Sequence, residues 1–301
     1  MPYPTAASLS RDRVGLVRIR AAVELLKPIT WFPPMWAFAC GYLSAGLPLD
    51  EHAGRAVLGA ILAGPLLCGS SQVVNDWFDR HVDALNEPDR PIPSGRMPGR
   101  GGLFLAIGWS VLSMFAAWAF GPTVFAASAL GMALAWAYSA PPFRLKRNGW
   151  AGNSAVAIAY EGLAWLTGVS VALGGGAPAG PTVAFALLYS AGTHGIMTLN
   201  DFKSIEGDRR MGIGSLPVRL GPERAARLAC GVMLVPQLVV IGILVALARP
   251  LHAAVVSLLA LLQVACMPRL LAAPREQATW YSATGVGLFV SGMLVAALAL
   301  R

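Results

Sequence analysis

Apolar residues along this chain do not alternate with polar ones. They fill continuous runs near residues 29–49, 56–74, 102–120, 122–138, 152–174, 181–199, 226–247, 251–270 and 280–300. Each run is close to the roughly 20 residues that carry one helix across a bilayer, so the pattern predicts about nine spanning helices. Strands of a membrane barrel would show period-two alternation, and unpaired backbone cannot face lipid. The expected fold class is therefore all-α, a polytopic membrane protein. Gly41, Gly64, Gly131 and Pro236 fall inside the runs, where they should mark close helix contacts or kinks and not chain breaks.

The connections are unequal. Those after the second and sixth runs are long and polar, while most others are short turns. Lys and Arg are unequal too: taking alternate connections, twenty of the 23 fall on one side and only Arg55, Arg249 and Arg301 on the other. Short cytoplasmic loops retain positive charge, so both long loops and the N-terminus are expected in the cytoplasm of a bacterial inner membrane, with the C-terminus opposite. Residues 1–27 read as a basic cytoplasmic tail and 28–301 as a single transmembrane domain. The tail has no apolar core with a small-residue cleavage site, so it is expected to stay on the mature protein.

Composition agrees: 56% of residues are hydrophobic and 13% charged, against about 25% charged in a soluble domain. A soluble globular protein is excluded. The net charge of +8 is then a topology signal, and no nucleic-acid partner is expected. Cys40, Cys68, Cys230 and Cys266 lie in apolar runs without paired spacing and read as small core residues.

The chemistry concentrates in the two long loops. The second run leads into Asn75-Asp76-Trp77-Phe78-Asp79-Arg80-His81-Val82-Asp83. If the helix continues, Asp76, Asp79 and Asp83 share one face, where like charges repel. The bland reading is a solvated acidic face. The sharper one is that a cation relieves the repulsion, and an all-oxygen set suits Mg²⁺, which shares its shell with water and phosphate. The sixth run ends alike, in Asn200-Asp201-Phe202-Lys203-Ser204-Ile205-Glu206-Gly207-Asp208, offset by 125 residues. Behind each acid cluster comes a basic, turn-rich stretch, Pro88 to Arg96 and Arg209 to Ser215. Paired acids with adjacent bases describe a magnesium-bridged diphosphate site.

These residues resemble the UbiA superfamily of intramembrane prenyltransferases. Asn75 to Asp83 matches its N-D-x-x-D-x-x-x-D motif without gaps. The finer resemblance is to the chlorophyll synthase branch, on Asp83 to Pro88, Arg90 to Gly95, Tyr138 to Pro142 and Asn200 to Asp208. Lys27 to Trp36 and Phe143 to Trp150 are similar to its bacteriochlorophyll synthase members. Many members of the wider superfamily have Asp where Ser204 stands.

The resemblance implies about nine helices around a central cavity, with the two Asp-rich loops at its cytoplasmic mouth. It implies two Mg²⁺ ions bridging geranylgeranyl or phytyl diphosphate, and a propionate acceptor, bacteriochlorophyllide a, to be esterified; the protein partners are left open. The first ion is assigned to Asn75, Asp76, Asp79 and Asp83, and the second to Asp201 and Asp208 with Glu206. Asp76 and Asp79 are thereby catalytic. Arg80, Arg90, Arg144, Lys146, Lys203 and Arg209 are candidate diphosphate ligands, although positive-inside topology alone accounts for most of them. The aromatic faces of Trp77, Trp136 or Tyr138 would stabilise an allylic cation, with Tyr138 the catalytic candidate or else an interfacial anchor. Chlorophyllide a, or a quinone or haem precursor, is the alternative acceptor. A transporter would hold its ionisable residues near mid-membrane, and a pigment-binding structural protein would need no diphosphate loops.

Two ionisable residues lie inside spans. Glu161 should face a cavity or a polar neighbour. His194, seven residues before Asp201, should look the same way as that acid. His194 would either ligate the magnesium of an incoming macrocycle, making it a substrate-binding residue, or pack between helices, with Glu161 as one possible partner.

Overall fold

The computed structural model describes residues 11–48 and 53–301. The first ten residues of the basic tail, and the end of the first apolar run at 49, lie outside them. The rest of the tail is helix α1 (Arg11–Leu26), with Ala21, Leu25 and Leu26 buried. Next come α2 (Phe32–Ser44), α3 (Ala53–Ile61), α4 (Gly69–Asn86), α5 (Gly101–Trp118), α6 (Pro122–Ser139), α7 (Gly149–Ala157), α8 (Ala164–Ala172) and α9 (Pro181–Asn200). Two short helices, α10 (Ile205–Arg210) and α11 (Leu216–Leu220), precede α12 (Pro222–Ala246), α13 (Pro250–Ala272), α14 (Pro274–Ala283) and α15 (Gly285–Ala299).

Prolines open many of these helices, because the first turn needs no N–H and the proline ring presets its φ; Pro122, Pro181, Pro222, Pro250 and Pro274 all stand there. Prolines inside helices are absorbed. Pro236 stays within α12. Pro65 falls in a π-helical stretch, Leu62–Cys68, that joins α3 to α4 without a break. Wider π turns tolerate a missing donor. A second π turn, Ile158–Leu163, joins α7 to α8.

Over its described residues every predicted apolar run is therefore mainly helical. Among the described residues, seven continuous helices are long and apolar enough to cross a membrane, which makes the chain a multi-pass membrane protein. The expected count of nine is not reached by this measure. α2 has only 13 residues, and α6 is not among the seven. No strand is present among the described residues, where the one isolated bridge pairs Asn148 with Gly214.

Helix contacts rest on small residues, as in other membrane bundles. At the crossing of α2 and α8, a Cβ on Gly41 would lie 2.0 Å from the Trp165 carbonyl oxygen, and one on Gly168 would lie 2.1 Å from that of Phe38. Gly64 is closely covered by Met35, whereas Gly131 has ordinary room. Cys40, Cys68 and Cys230 are buried, Cys266 is half-buried, and all four are free thiols. Large apolar side chains such as Phe115, Trp118, Leu187, Leu251 and Leu261 point outward, onto what is lipid in a membrane.

Candidate active site

α4 carries its three aspartates on one inward face, as their spacing predicts. Asp76 is 3% exposed and Asp83 7%. Unpaired charges so placed would be costly, and each acid has a cation. Lys27 Nζ donates to Asp76 Oδ1 at 2.6 Å. Arg90 Nη1 reaches Asp83 Oδ2 at 3.0 Å and Asp76 Oδ1 at 3.4 Å, while its Nε and Nη2 clasp Glu87. The Lys146 ammonium holds Asp79. Burial pulls Lys146 below the ordinary lysine range, against the opposing pull of Asp79. Burial also works against the charge on Arg90, but Glu87, Asp76 and Asp83 outweigh it and raise Arg90 above its ordinary value.

Lys27 and Arg144 both sit on left-handed backbone, with φ of 46° and 42°. Each opens a 3₁₀ turn, Pro28–Thr30 and Leu145–Arg147. A non-glycine residue adopts that conformation at a cost of about 1–3 kcal/mol, which the surrounding fold must offset. The second turn delivers Lys146 to Asp79. Arg144 Nε is buried without a hydrogen-bond partner.

α9 brings the second cluster. Asp201 accepts from Asn153 Nδ2 of α7 at 3.1 Å, and Ser204 Oγ donates to Asp208 Oδ2 at 2.9 Å. Backbone bonds tie the two sides of the site: Gly149 N–H donates to Gly214 O at 2.8 Å and Gly214 N–H to Arg147 O at 2.9 Å. Tyr138 stands between the clusters, within electrostatic reach of Asp201, Asp79 and Asp208.

A cavity of about 670 Å³ runs inward from this end. Its mouth carries Asn75, Tyr138, Asn200, Asp201, Lys203 and Ser204. One side is apolar, with Phe32, Trp36, Ile196, Met197, Val286 and Val290. Polar side chains reappear on the wall, namely Gln72, Tyr160, Glu161 and Thr193. Gln72 Nε2 donates to the Tyr160 hydroxyl at 2.9 Å, and that hydroxyl also pairs with Ser71.

Among the described residues, no three His, Cys, Asp or Glu side chains converge closely enough to hold a metal alone. The donor set still fits magnesium, which takes one or two carboxylates and completes its shell with water and phosphate oxygens. Asn75, Asp76 and Asp79 on one side, and Asp201 and Asp208 on the other, offer such oxygens.

Of the sequence-based candidates, Asn75, Tyr138, Asp201 and Lys203 line the cavity itself, the α4 aspartates with Arg90 and Lys146 form the paired cluster described above, and four others are turned to different partners. Glu206 is exposed and paired with Arg209 and Arg275. Asp201 belongs to a 3₁₀ turn, Asp201–Ser204, and Glu206 to the helix α10 that follows it, which turns Glu206 outward to its pair with Arg209. Arg80 folds back on Trp77, donating to its carbonyl at 2.6 Å and lying 4.1 Å from its ring centroid. His194 shares the face of Asp201, but that face turns to α7, where the imidazole stacks on Trp150 at 5.5 Å. Among the described residues it makes no hydrogen bond to Glu161, which pairs with Thr193. Of the aromatic candidates, Tyr138 alone lines the cavity; Trp77 is covered by Arg80, and Trp136 packs edge-on to Phe78.

Sequence reasoning missed Lys27 and Asn153 as partners of the acids and noted Ser204 only as a departure from the wider superfamily. Lys27 was hidden among topological charges. Asn153 was visible as an amide at the start of an apolar run.

The model of the UbiA prenyltransferase family matches residues 30–298. The chain belongs to that family. Bacteriochlorophyll synthase 33 kDa chain from Cereibacter sphaeroides is 55% identical over 94% of this chain and 93% of its own length. The same-named protein of Rhodobacter capsulatus is 52% identical over 99% and 98%. Chloroplastic chlorophyll synthase from Arabidopsis thaliana is 37% identical over 92% and 73%. The fold is similar to a solved digeranylgeranylglyceryl phosphate synthase, with a TM-score of 0.73 and 19% identity over 93% of this chain and 99% of that one. It is similar also to a UbiA homolog from Archaeoglobus fulgidus bound to GPP and Mg²⁺, with a TM-score of 0.67 and 22% identity over 89% and 99%. The UbiA match begins three residues after Lys27, so the base that holds Asp76 lies outside the matched segment.

Proposed function

We propose that this chain esterifies the propionate carboxylate of bacteriochlorophyllide a with a geranylgeranyl or phytyl group from its diphosphate, releasing diphosphate. The observation that carries the reading is the pair of acid clusters at one end of a largely apolar cavity, the α4 aspartates held by Lys27, Arg90 and Lys146, and Asp201 at the cavity mouth with Lys203. The likeness to bacteriochlorophyll synthase over nearly the whole chain supports the choice of acceptor.

The mouth receives the diphosphate. Asn75, Asp76, Asp79 and Asp83 would hold one Mg²⁺, and Asp201 and Asp208 a second. When bound, the ions supply the charge neutralisation that the leaving diphosphate needs. Lys27, Arg90 and Lys146, now on carboxylates, lie where they can turn to phosphate oxygens, and Arg144 and Lys203 add donors. The apolar wall takes the prenyl chain and keeps water from the allylic carbon. As the bond from that carbon to the diphosphate oxygen breaks, its electron pair leaves with diphosphate. Positive charge then develops on the chain, and the Tyr138 ring faces it. The acceptor carboxylate closes the new C–O bond. With an ordinary pKa near 4 it is already ionised at neutral pH, so no general base is required. The protein works in a bacterial inner membrane with its acid clusters toward the cytoplasm.

The test uses membranes containing the full chain, supplied with bacteriochlorophyllide a or chlorophyllide a and with each diphosphate. Diphosphate release should require both the acceptor and Mg²⁺, and should stop with a chelator. Release that is independent of acceptor, or esterification undiminished by chelation, would refute the proposal.

A further inference from the structure

Part of the cavity wall has no use in diphosphate chemistry. Glu161 sits in the π turn between α7 and α8, is 5% exposed, and forms part of the wall. The Thr193 hydroxyl of α9 lies 3.2 Å from Glu161 Oε2 and 3.0 Å from the Tyr189 carbonyl oxygen, so its one proton is shared between the two acceptors. Oε1 has no hydrogen-bond partner. Among the described residues it is the one buried side-chain nitrogen or oxygen of this wall left so, since Tyr160, Gln72 and Ser71 satisfy one another. Glu161 also has no ion pair among the described residues.

What fills the cavity must deal with that oxygen. A prenyl chain has no polar atom beyond its diphosphate, so laying it over Glu161 would leave the carboxyl buried and unsatisfied, which is unfavourable. A tetrapyrrole acceptor brings exocyclic carbonyl oxygens at its rim. An intramembrane carboxyl with no cation beside it marks a functional position, and when it carries its proton the O–H is the donor that a carbonyl accepts. π turns recur at functional sites because they turn a side chain out of helical register.

We propose that Glu161, held by Thr193, is the docking point for a ketone oxygen on the rim of the acceptor macrocycle, and so orients the ring whose carboxylate attacks the prenyl carbon. This rests on the function proposed above. It makes Glu161 a specificity residue that touches the acceptor and not the diphosphate.

The test crosses variants with acceptors in membranes containing the full chain. The acceptors are bacteriochlorophyllide a and an analogue lacking its exocyclic ketone oxygens. The wild-type chain is measured first. Absence of turnover with the ketone-bearing acceptor would sink the proposed function itself. With turnover established, Glu161→Met should raise KM for the ketone acceptor about five- to tenfold, the worth of one hydrogen bond, and leave KM for the prenyl diphosphate unchanged. Glu161→Gln, which keeps a donor, should stay near wild type. With the analogue, wild type and Glu161→Met should have equal KM. Should Glu161→Met fail to accumulate, Thr193→Val should raise KM for the ketone acceptor alone and Thr193→Ser should not. Equal rises for both acceptors, or a rise in KM for the diphosphate, would overturn the docking role and leave the function standing.

Discussion

Replacing Gly41 by alanine tests how the cavity is held. The new Cβ would lie 2.0 Å from the Trp165 carbonyl oxygen, 2.7 Å from its carbon and 2.9 Å from its Cα. A close C–H···O contact needs about 3.3 Å, so α2 and α8 must separate by roughly 1.3 Å. Both sides of the contact are backbone, and no rotamer change relieves it. Overpacking typically costs about 1–3 kcal/mol, and here the upper end applies. Alanine returns up to about 1 kcal/mol of helix propensity, which leaves a net loss near 2 kcal/mol. The control is Gly231→Ala on α12, where a Cβ meets nothing within 4 Å and only the propensity gain remains. Purified in detergent and followed by thermal unfolding, Gly41→Ala should melt roughly 5 °C below wild type, and Gly231→Ala at or above it. The consequence reaches the site, because α2 supplies Phe32 and Trp36 to the apolar wall. If Gly41→Ala melts no lower than Gly231→Ala, the close crossing is wrong.

Asp79→Asn and Asp208→Asn should each lower turnover about a hundredfold or more while the protein still inserts, as expected of groups that organise charge in a transition state; near-normal turnover at saturating Mg²⁺ would remove them from the metal sites. Glu206→Gln should keep activity within about twofold, because its carboxylate spends itself on surface pairs with Arg209 and Arg275 that are worth little; a hundredfold loss in a kinetic assay would return it to the site. His194→Phe should preserve stacking on Trp150 and leave acceptor KM unchanged, and a selective rise for magnesium-bearing acceptors would restore the ligand role. Reporter fusions at Met97 and Gly214 should register cytoplasm and a fusion after Arg301 the opposite side, with a reversed result at either loop refuting the orientation.

Much of this arrangement was legible because two physical rules act locally. Lipid demands continuous apolar runs, so the helices could be read from hydropathy, and charge repulsion made Asp76, Asp79 and Asp83 conspicuous as a set. The errors came where one residue type answers to two causes. Lys27 and Arg209 look alike in sequence, since both fit a positive-inside pattern; only the left-handed turn at Lys27 sends one of them to an aspartate. The π turns left no trace in the pattern. A shift of one residue in register moves a side chain around the helix without altering composition, and it is such a turn that carries Glu161. The shortness of α2 was equally hidden, because Pro28 to Trp31 is apolar enough to extend the run but folds as a separate turn.

The pairing of each α4 aspartate with a lysine or arginine of the same chain bears on turnover. A bundle with three bare carboxylates on a buried face could assemble only with its counterions already present. This one can insert and fold first, because its own bases play that part. On the function proposed above, substrate arrival would be an exchange of partners: the carboxylates would hold magnesium, and the freed lysines and arginine would meet the phosphates. Such an exchange is nearly balanced in charge, and the return of these bases to the aspartates they hold at rest would favour release of the spent diphosphate.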